Sequence, residues 1–338
     1  MFISFYSLSK AIFCCFLFFI TSFCYGQKEA AFWYFGNNVG LDFNSCAPKP
    51  VLNGQLKTNE GCATISNNQG KLLFYTDGIT VWDKNHDVMP NGQGLLGHMS
   101  STQSAIIIPK PNSTTTYYIF TVTNAGGTDG LQYSEVDLNL NNGDITSNKN
   151  ILLATPCAEK ITAIQHANGI DFWVVTHSWN SSEFLTFKIT ETGVSSTPIK
   201  TEIGSFHGGD GFDSVGYMKI SPNGRKLAIA KWHINSFVEI FDFDIRTGVV
   251  SNAIKLDEIF DKNPNSGAYG LEFSPNSNLL YVSELDFNNF SSQLHQLDLS
   301  IYSKTNIINS DTIIYSGNNF LSAIQLALDR NIYIYQTA

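Results

Sequence analysis

The sequence predicts an all-β fold, a β-propeller of four-stranded blades, and three observations carry that reading. A turn phrase is written twice, SPNGRKLAIA at 221–230 and SPNSNLLYVS at 274–283. The two-strand pattern around it recurs, making six copies in all. The copies follow one another at roughly forty to fifty-five residues, which leaves room for four strands per unit, the signature of a propeller blade.

The chain opens with MFISFYSLSK, which carries one Lys and no acid, then the apolar run AIFCCFLFFITSF, then the polar CYGQKEA. That is the layout of a secretory signal peptide over residues 1–26, with an apolar run too short for a comfortable membrane span. Cleavage is expected near Gly26. An uncleaved anchor is the alternative. A lipoprotein is disfavoured because the bulky Phe23 precedes Cys24, where lipid attachment wants a small residue. Residues 27–338 then form the propeller, with no integral membrane segment left after signal removal. AAFWYFG at 30–36 reads as a strand with no outer partners of its own nearby.

The six first hairpins are 62–76, 104–122, 162–176, 216–230, 270–283 and 323–335. Their turns use Pro, which fixes φ, and Asn or Gly, which tolerate the left-handed region. Runs such as KLAIA and LLYVS suit buried strands. The first strands open on Ala63, Ala105, Ala163, Gly216, Gly270 and Ala323, small residues that suit the crowded ring axis. A second hairpin follows in each unit. VDLNLNNGDI (136–145), FDFDIRTGVV (241–250) and FKITETGVSS (187–196) share its pattern, and VWDKNHDVM (81–89) and LDLSIYSKTNI (297–307) are looser versions. A blade cannot bury both faces alone, and stacking on neighbouring blades does so. The alternative fold is a pair of β-sandwiches. There is no long amphipathic helix. The last unit begins near Ser322 and the chain stops at Ala338, so a seven-bladed ring would lack about one and a half blades and the C-terminal end of the propeller is expected to be incomplete.

Composition agrees with a folded protein. Aromatic residues make up 13% of the chain and charged residues only 14%, which argues against disorder. A net charge of −9 without a basic cluster disfavours a nucleic-acid partner, whose phosphates need a basic face, and none is expected. With Cys14, Cys15 and Cys24 in the signal segment, Cys46, Cys62 and Cys157 remain, enough for at most one intrachain disulfide. Three buried thiols are the competing reading. No CxxC is present.

WYFGNNVGLDFN (33–44), TNEGCATIS (58–66), LLFYTDGITVWDKNHDVMPNG (72–92), GLLGHMSSTQSAIIIPKP (94–111), GLQYSEVDL (130–138) and EKITAIQHANGIDFWVVTH (159–177) carry a family resemblance. They resemble the N-terminal propeller of large secreted proteins of the Bacteroidota. Many of those end in a gliding-motility-associated C-terminal domain, a type IX secretion sorting signal. The resemblance implies a WD40/YVTN-like propeller carried to the cell surface or beyond by Sec and type IX export. It supplies no catalytic residues. The chain departs from the pattern by ending before any Ig-like module or sorting domain.

DKNHD at 83–87 spaces Asp83, Asn85 and Asp87 as a Ca²⁺ loop would, but Val88 and Gly94 stand where Gly and Glu are needed; a turn is expected instead. HGGDGFD at 207–213 puts His207, Asp210 and Asp213 in a Gly-rich loop before an inner strand. Equivalent loops carry Glu60, Gln103, Glu159 with Lys160, and Asn319. Together they would make a polar ring at the channel mouth, where propellers bind ligands; the competing reading is that a channel mouth is wet and therefore polar anyway. Trp173, between His166 and His177, reads as blade-packing core. No HExxH and no GxSxG is present, and neither a cofactor nor a metal is expected. The function expected is a secreted or cell-surface, non-catalytic recognition or scaffold module for a glycan, peptide or partner protein. The alternative is a metal-dependent, lactonase-like hydrolase acting at the channel mouth. A spacer with no ligand is a third reading.

Overall fold

The computed structural model describes residues 28–336. The signal peptide expected over residues 1–26 lies, with the three cysteines in that segment, outside the described residues. Within them no helix is long and apolar enough to cross a membrane.

The architecture is a six-bladed β-propeller arrangement. The first blade runs β4 (Ala63–Ser66), β5 (Leu72–Thr76), β6 (Thr80–Asp83) and β7 (Val88–Gln93), numbered after three N-terminal strands described below. The second holds β8 (Ala105–Pro109), β9 (Thr116–Val122), β10 (Leu131–Asp137) and β11 (Asp144–Ile145), with β12 (Ile151–Ala154) also on β10. The third holds β13 (Cys157–Gln165), β14 (Phe172–Ser178), β15 (Ser181–Thr190) and β16 (Gly193–Val194), with β17 (Ile199–His207) also on β15. The fourth runs β18 (Met218–Ile220), β19 (Lys226–Lys231), β20 (Phe237–Phe243) and β21 (Val250–Leu256). The fifth runs β22 (Ser266–Phe273), β23 (Leu279–Asp286), β24 (Ser291–Asp298) and β25 (Thr312–Gly317), and the sixth is described as the hairpin β26 (Leu321–Leu326) and β27 (Ile332–Gln336). Neighbouring strands are antiparallel throughout, so each full blade is a meander.

The repeated phrase is one turn built twice from side chains. Ser221 Oγ donates to Asn223 Oδ1 and accepts from the Lys226 amide; Ser274 Oγ donates to Asn276 Oδ1 and accepts from the Leu279 amide. Gly224 (φ +70°) and Ser277 (φ +63°) take the left-handed position.

Strand periodicity explains why these runs are apolar without alternation. Successive residues face opposite sides of a sheet, and a blade is covered on both. In β19, Leu227 and Ile229 pack toward the third blade with Trp173 and Phe184, whereas Ala228 and Ala230 pack toward the fifth with Leu271 and Phe273. Trp173 is thus blade-packing core, its indole N–H donating to the Ile245 carbonyl at 2.9 Å. Similar layers join the first to the second blade, the second to the third and the fifth to the sixth.

Two elements differ from the sequence reading. The strand in 30–36 has partners after all. β1 (Phe32–Phe35) pairs with β2 (Val39–Asp42), and β2 with β3 (Lys49–Val51). This sheet packs Tyr34 on Tyr75 and Trp82 of the first blade and sets Trp33 and Phe43 against Tyr333 of β27, so it lies between the sixth and first blades. The hairpin expected at 297–307 is instead the end of β24 followed by a helix, α1 (Lys304–Asn309). Ser303 caps it by accepting from the Asn306 amide, and burial of Ile307 in the core between the fourth and fifth blades holds it there.

A cavity of about 1010 Å³ runs along the axis, with Ala63, Ala105, Ala163 and Ala323 in its wall. Gly270 lies inside β22 rather than at its start, and it is small for steric reasons, since a Cβ there would meet the Ser322 carbonyl oxygen at 2.3 Å.

Candidate functional site

In a four-stranded meander, strands one and three run one way, strands two and four the other. Connections from strand two to three and from the last strand to the next blade therefore emerge on one face. All eight sequence-predicted residues belong to that face, Asn319 in the exposed connection from β25 to β26. They do not form an open ring of free groups.

Glu159, on β13 and buried, has one carboxylate oxygen receiving the Thr102 amide at 2.8 Å and its hydroxyl at 3.0 Å, and the other receiving the Ala125 amide at 2.6 Å. Gln103 reaches to the fourth blade, where its amide pairs both ways with the main chain of Met218, accepting at 2.8 Å and donating at 3.1 Å. Lys160 is fully buried and its ammonium donates to the carbonyls of Ser214 and Val215. Burial pulls it down to about 7, against the raising pull of Glu159. These side chains satisfy main-chain groups of other blades, as buried polar atoms must; they are ties between blades.

The loop 207–213 splits up. His207 is buried, its ring 4.4 Å from His177 and 5.5 Å from Phe237. Burial holds its pKa well below the usual imidazole range, with His177 adding to that. Asp213 is paired with Lys231 at 2.7 Å. Asp210 is exposed and caps the short 3-10 turn Gly211–Ser214 by accepting from the Phe212 amide at 3.0 Å. Among the described residues no three His, Cys, Asp or Glu side chains are placed to hold a metal ion. The DKNHD segment is a turn, with Asp83 accepting from the amides of Asn85 and Asp87. Cys46, Cys62 and Cys157 are free thiols, the first exposed rather than buried.

Glu60 stands apart. It lies in the cavity wall; one oxygen accepts from the Tyr269 hydroxyl of the fifth blade at 3.1 Å, and the other is buried without a hydrogen-bond partner. Burial, then the Glu159 charge, pushes its carboxyl up to about 8.

The sequence reading missed an aromatic arc on the same face. Phe212 lies 6.3 Å from Trp232, Trp232 5.4 Å from Phe287, Phe287 4.5 Å from Phe320 in a stacked pair, and Phe320 6.0 Å from Phe290. His233 lies under Phe212 and Trp232. Phe290, Phe212 and Phe287 are 68%, 57% and 46% exposed, so the arc faces solvent. A signal was present: WHINSF (232–237) and DFNNF (286–290) are strand-two-to-three turns that each pair aromatics with Asn.

No protein-family model matches the chain, and no curated protein does either. Solved structures do resemble it. Hydrazine synthase of Kuenenia stuttgartiensis is 11% identical with a TM-score of 0.51, over 92% of this chain and 94% of that one. A putative 6-phosphogluconolactonase of Bacteroides fragilis is 13% identical with a TM-score of 0.52, over 85% of this chain and 82% of that one. One of Bacteroides uniformis is 9% identical with a TM-score of 0.52, over 88% and 83%. At such identities the likeness is one of fold alone.

Proposed function

We infer that this chain is a secreted or cell-surface, non-catalytic recognition module, a β-propeller that presents one face to a glycan, peptide or protein partner. The observation that carries the reading is the division of labour on that face. Glu159, Gln103 and Lys160 are engaged in ties between blades, while Phe212, Phe287 and Phe290 stay exposed in a contiguous arc. Exposed aromatic groups that touch one another mark interaction surfaces. The signal-peptide layout of residues 1–26 and the resemblance to Bacteroidota surface propellers support export through Sec and the type IX machinery to the outer surface.

A hydrolase is the second reading. Glu60, with an unpartnered oxygen in the cavity and a pKa pushed up to about 8, holds its proton at neutral pH as a general acid would. The test is an assay of the purified chain and its Glu60→Gln variant on aldonolactones, alongside protease shaving of intact cells. No turnover above buffer and loss of the protein from shaved cells are expected. Turnover that disappears in Glu60→Gln would replace recognition with catalysis, and a protein protected from protease would remove the surface location.

A further inference from the structure

We propose that the arc Phe212–Trp232–Phe287–Phe320–Phe290 is a carbohydrate-binding site and that its ligand is a neutral oligosaccharide. This rests on the recognition reading above and adds the place and the ligand class. The rings come from loops of three consecutive blades, and Trp232 anchors the row, its body buried and its indole N–H donating to the Leu285 carbonyl at 3.4 Å. An aromatic face is apolar and carries the negative part of the ring quadrupole. The C–H face of a pyranose is apolar too, with weakly positive hydrogens, so the two stack. Sugar hydroxyls then need neighbours that both donate and accept.

The rim supplies them. Loop 261–265 lies beside loop 287–290, joined by the Phe287 amide on the Asn265 carbonyl at 2.9 Å and the Asn288 amide on the Pro264 carbonyl at 2.8 Å. Asn263, Asn265, Asn288 and Asn289 are all exposed there. A side-chain amide offers two donor hydrogens and an acceptor oxygen. Asn263 and Asn289 each use one N–H on a carboxylate of their own loop, which leaves a carbonyl oxygen and a second N–H for a ligand.

Charge argues for a neutral one. Asp261 turns onto the amide of Asn263, Asp286 onto those of Asn288 and Asn289, and Lys231 is paired with Asp213. Asp261 and Asp286 keep their charge while accepting from neutral amides, which opposes an acidic glycan, and the exposed Lys262 in loop 261–265 opposes a purely basic partner.

The experiment is affinity electrophoresis of the purified chain through gels containing β-glucan, arabinoxylan, galactomannan, starch or the acidic alginate. The variants are Phe287→Ala, Phe290→Ala and, as a control on the distant N-terminal sheet, Leu52→Ala. Retardation by at least one neutral polysaccharide is expected. Each Phe variant should weaken it about tenfold, and Leu52→Ala should leave it unchanged. Circular dichroism should be the same for all. Retardation by alginate alone, or by none of the five, would overturn the ligand class. Retardation unaffected by both Phe variants would overturn the site, and an arc-dependent complex with a protein and no glycan would overturn the ligand class; either leaves the recognition reading standing. Lactone turnover would bring down the recognition reading itself.

Discussion

Two histidines place opposite demands on pH. His295 is buried between Asp311, 3.0 Å from Nδ1, and Glu284, 3.3 Å from Nε2. Burial alone would lower its pKa, but the hydrogen bonds to Asp311 and Glu284 and their charges outweigh it and raise it from 6.5 to about 9. The folded state therefore holds this proton more tightly. Its stabilising contribution is full below 6.5 and is lost as pH rises through about 9. His177 is the reverse case. Burial lowers it to about 4, against the hydrogen bond to the Ser178 carbonyl, so the unfolded chain takes the proton first and stability falls as pH drops from 6.5 toward 4. Each shift corresponds to about 3 kcal/mol. Urea midpoints should show His295→Gln destabilised at pH 6, with the deficit shrinking from about pH 6.5 upward and gone above about pH 9. His177→Gln should flatten the acid-side loss. A deficit for His295→Gln that is constant from pH 6 to 10 would rule out the charged pairing.

At the scale of elements, the turn of the repeated phrase gives a sharper expectation. Gly224 sits at φ +70°, and a Cβ there would meet Ile245 Cγ2 at 2.5 Å. Both the backbone and the contact oppose a side chain, so Gly224→Ala should cost about 1–3 kcal/mol, read as a lower urea midpoint with an unchanged slope. An unchanged midpoint would mean that the turn adapts. These turns were legible because their hydrogen bonds are local, from Ser221 to Asn223 and Lys226. Small residues on the inner strands were legible too, since crowding at an axis follows from the fold, but only Ala63 and Ala105 open their strands; Ala163, Gly270 and Ala323 lie inside theirs and Gly216 precedes β18. The roles of Gln103 and Glu159 were not. Their partners, Met218 and Ala125, lie in other parts of the ring, and nothing near them in sequence names those neighbours. The arc was hidden for the same reason, its rings drawn from positions 212, 232, 287, 290 and 320. β2 and β3 were missed because VGLD and KPV are too short to carry a period, and α1 because the alternating LDLSI at 297–301 just before it reads as a strand.

For the molecule as a whole, the question is where the ring opens first. A stack of blades is stabilised by each interface in turn, and an end unit with one covered side is the weakest. The third and fourth blades are covered on both sides by continuous apolar layers. The seam between β26–β27 and β1–β3 is different. It is made by Trp33 and Phe43 on the single ring of Tyr333, at 5.8 and 5.4 Å, and it borders the axial cavity, whose wall includes Trp33, Leu41 and Tyr333. Among the described residues no buried apolar cluster spans it, so less free energy opposes its separation than at the other interfaces. Amide hydrogen exchange should be fastest at this seam, in β26–β27 and β1, and slowest in β19 and β20. Trp33→Ala should accelerate exchange in β26–β27, far from it in sequence, while β19 and β20 keep their protection. Equal protection of β26–β27 and β19 would mean that the seam is sealed by more than these three rings. Acceleration spread over all blades would mean that the ring opens as one cooperative unit.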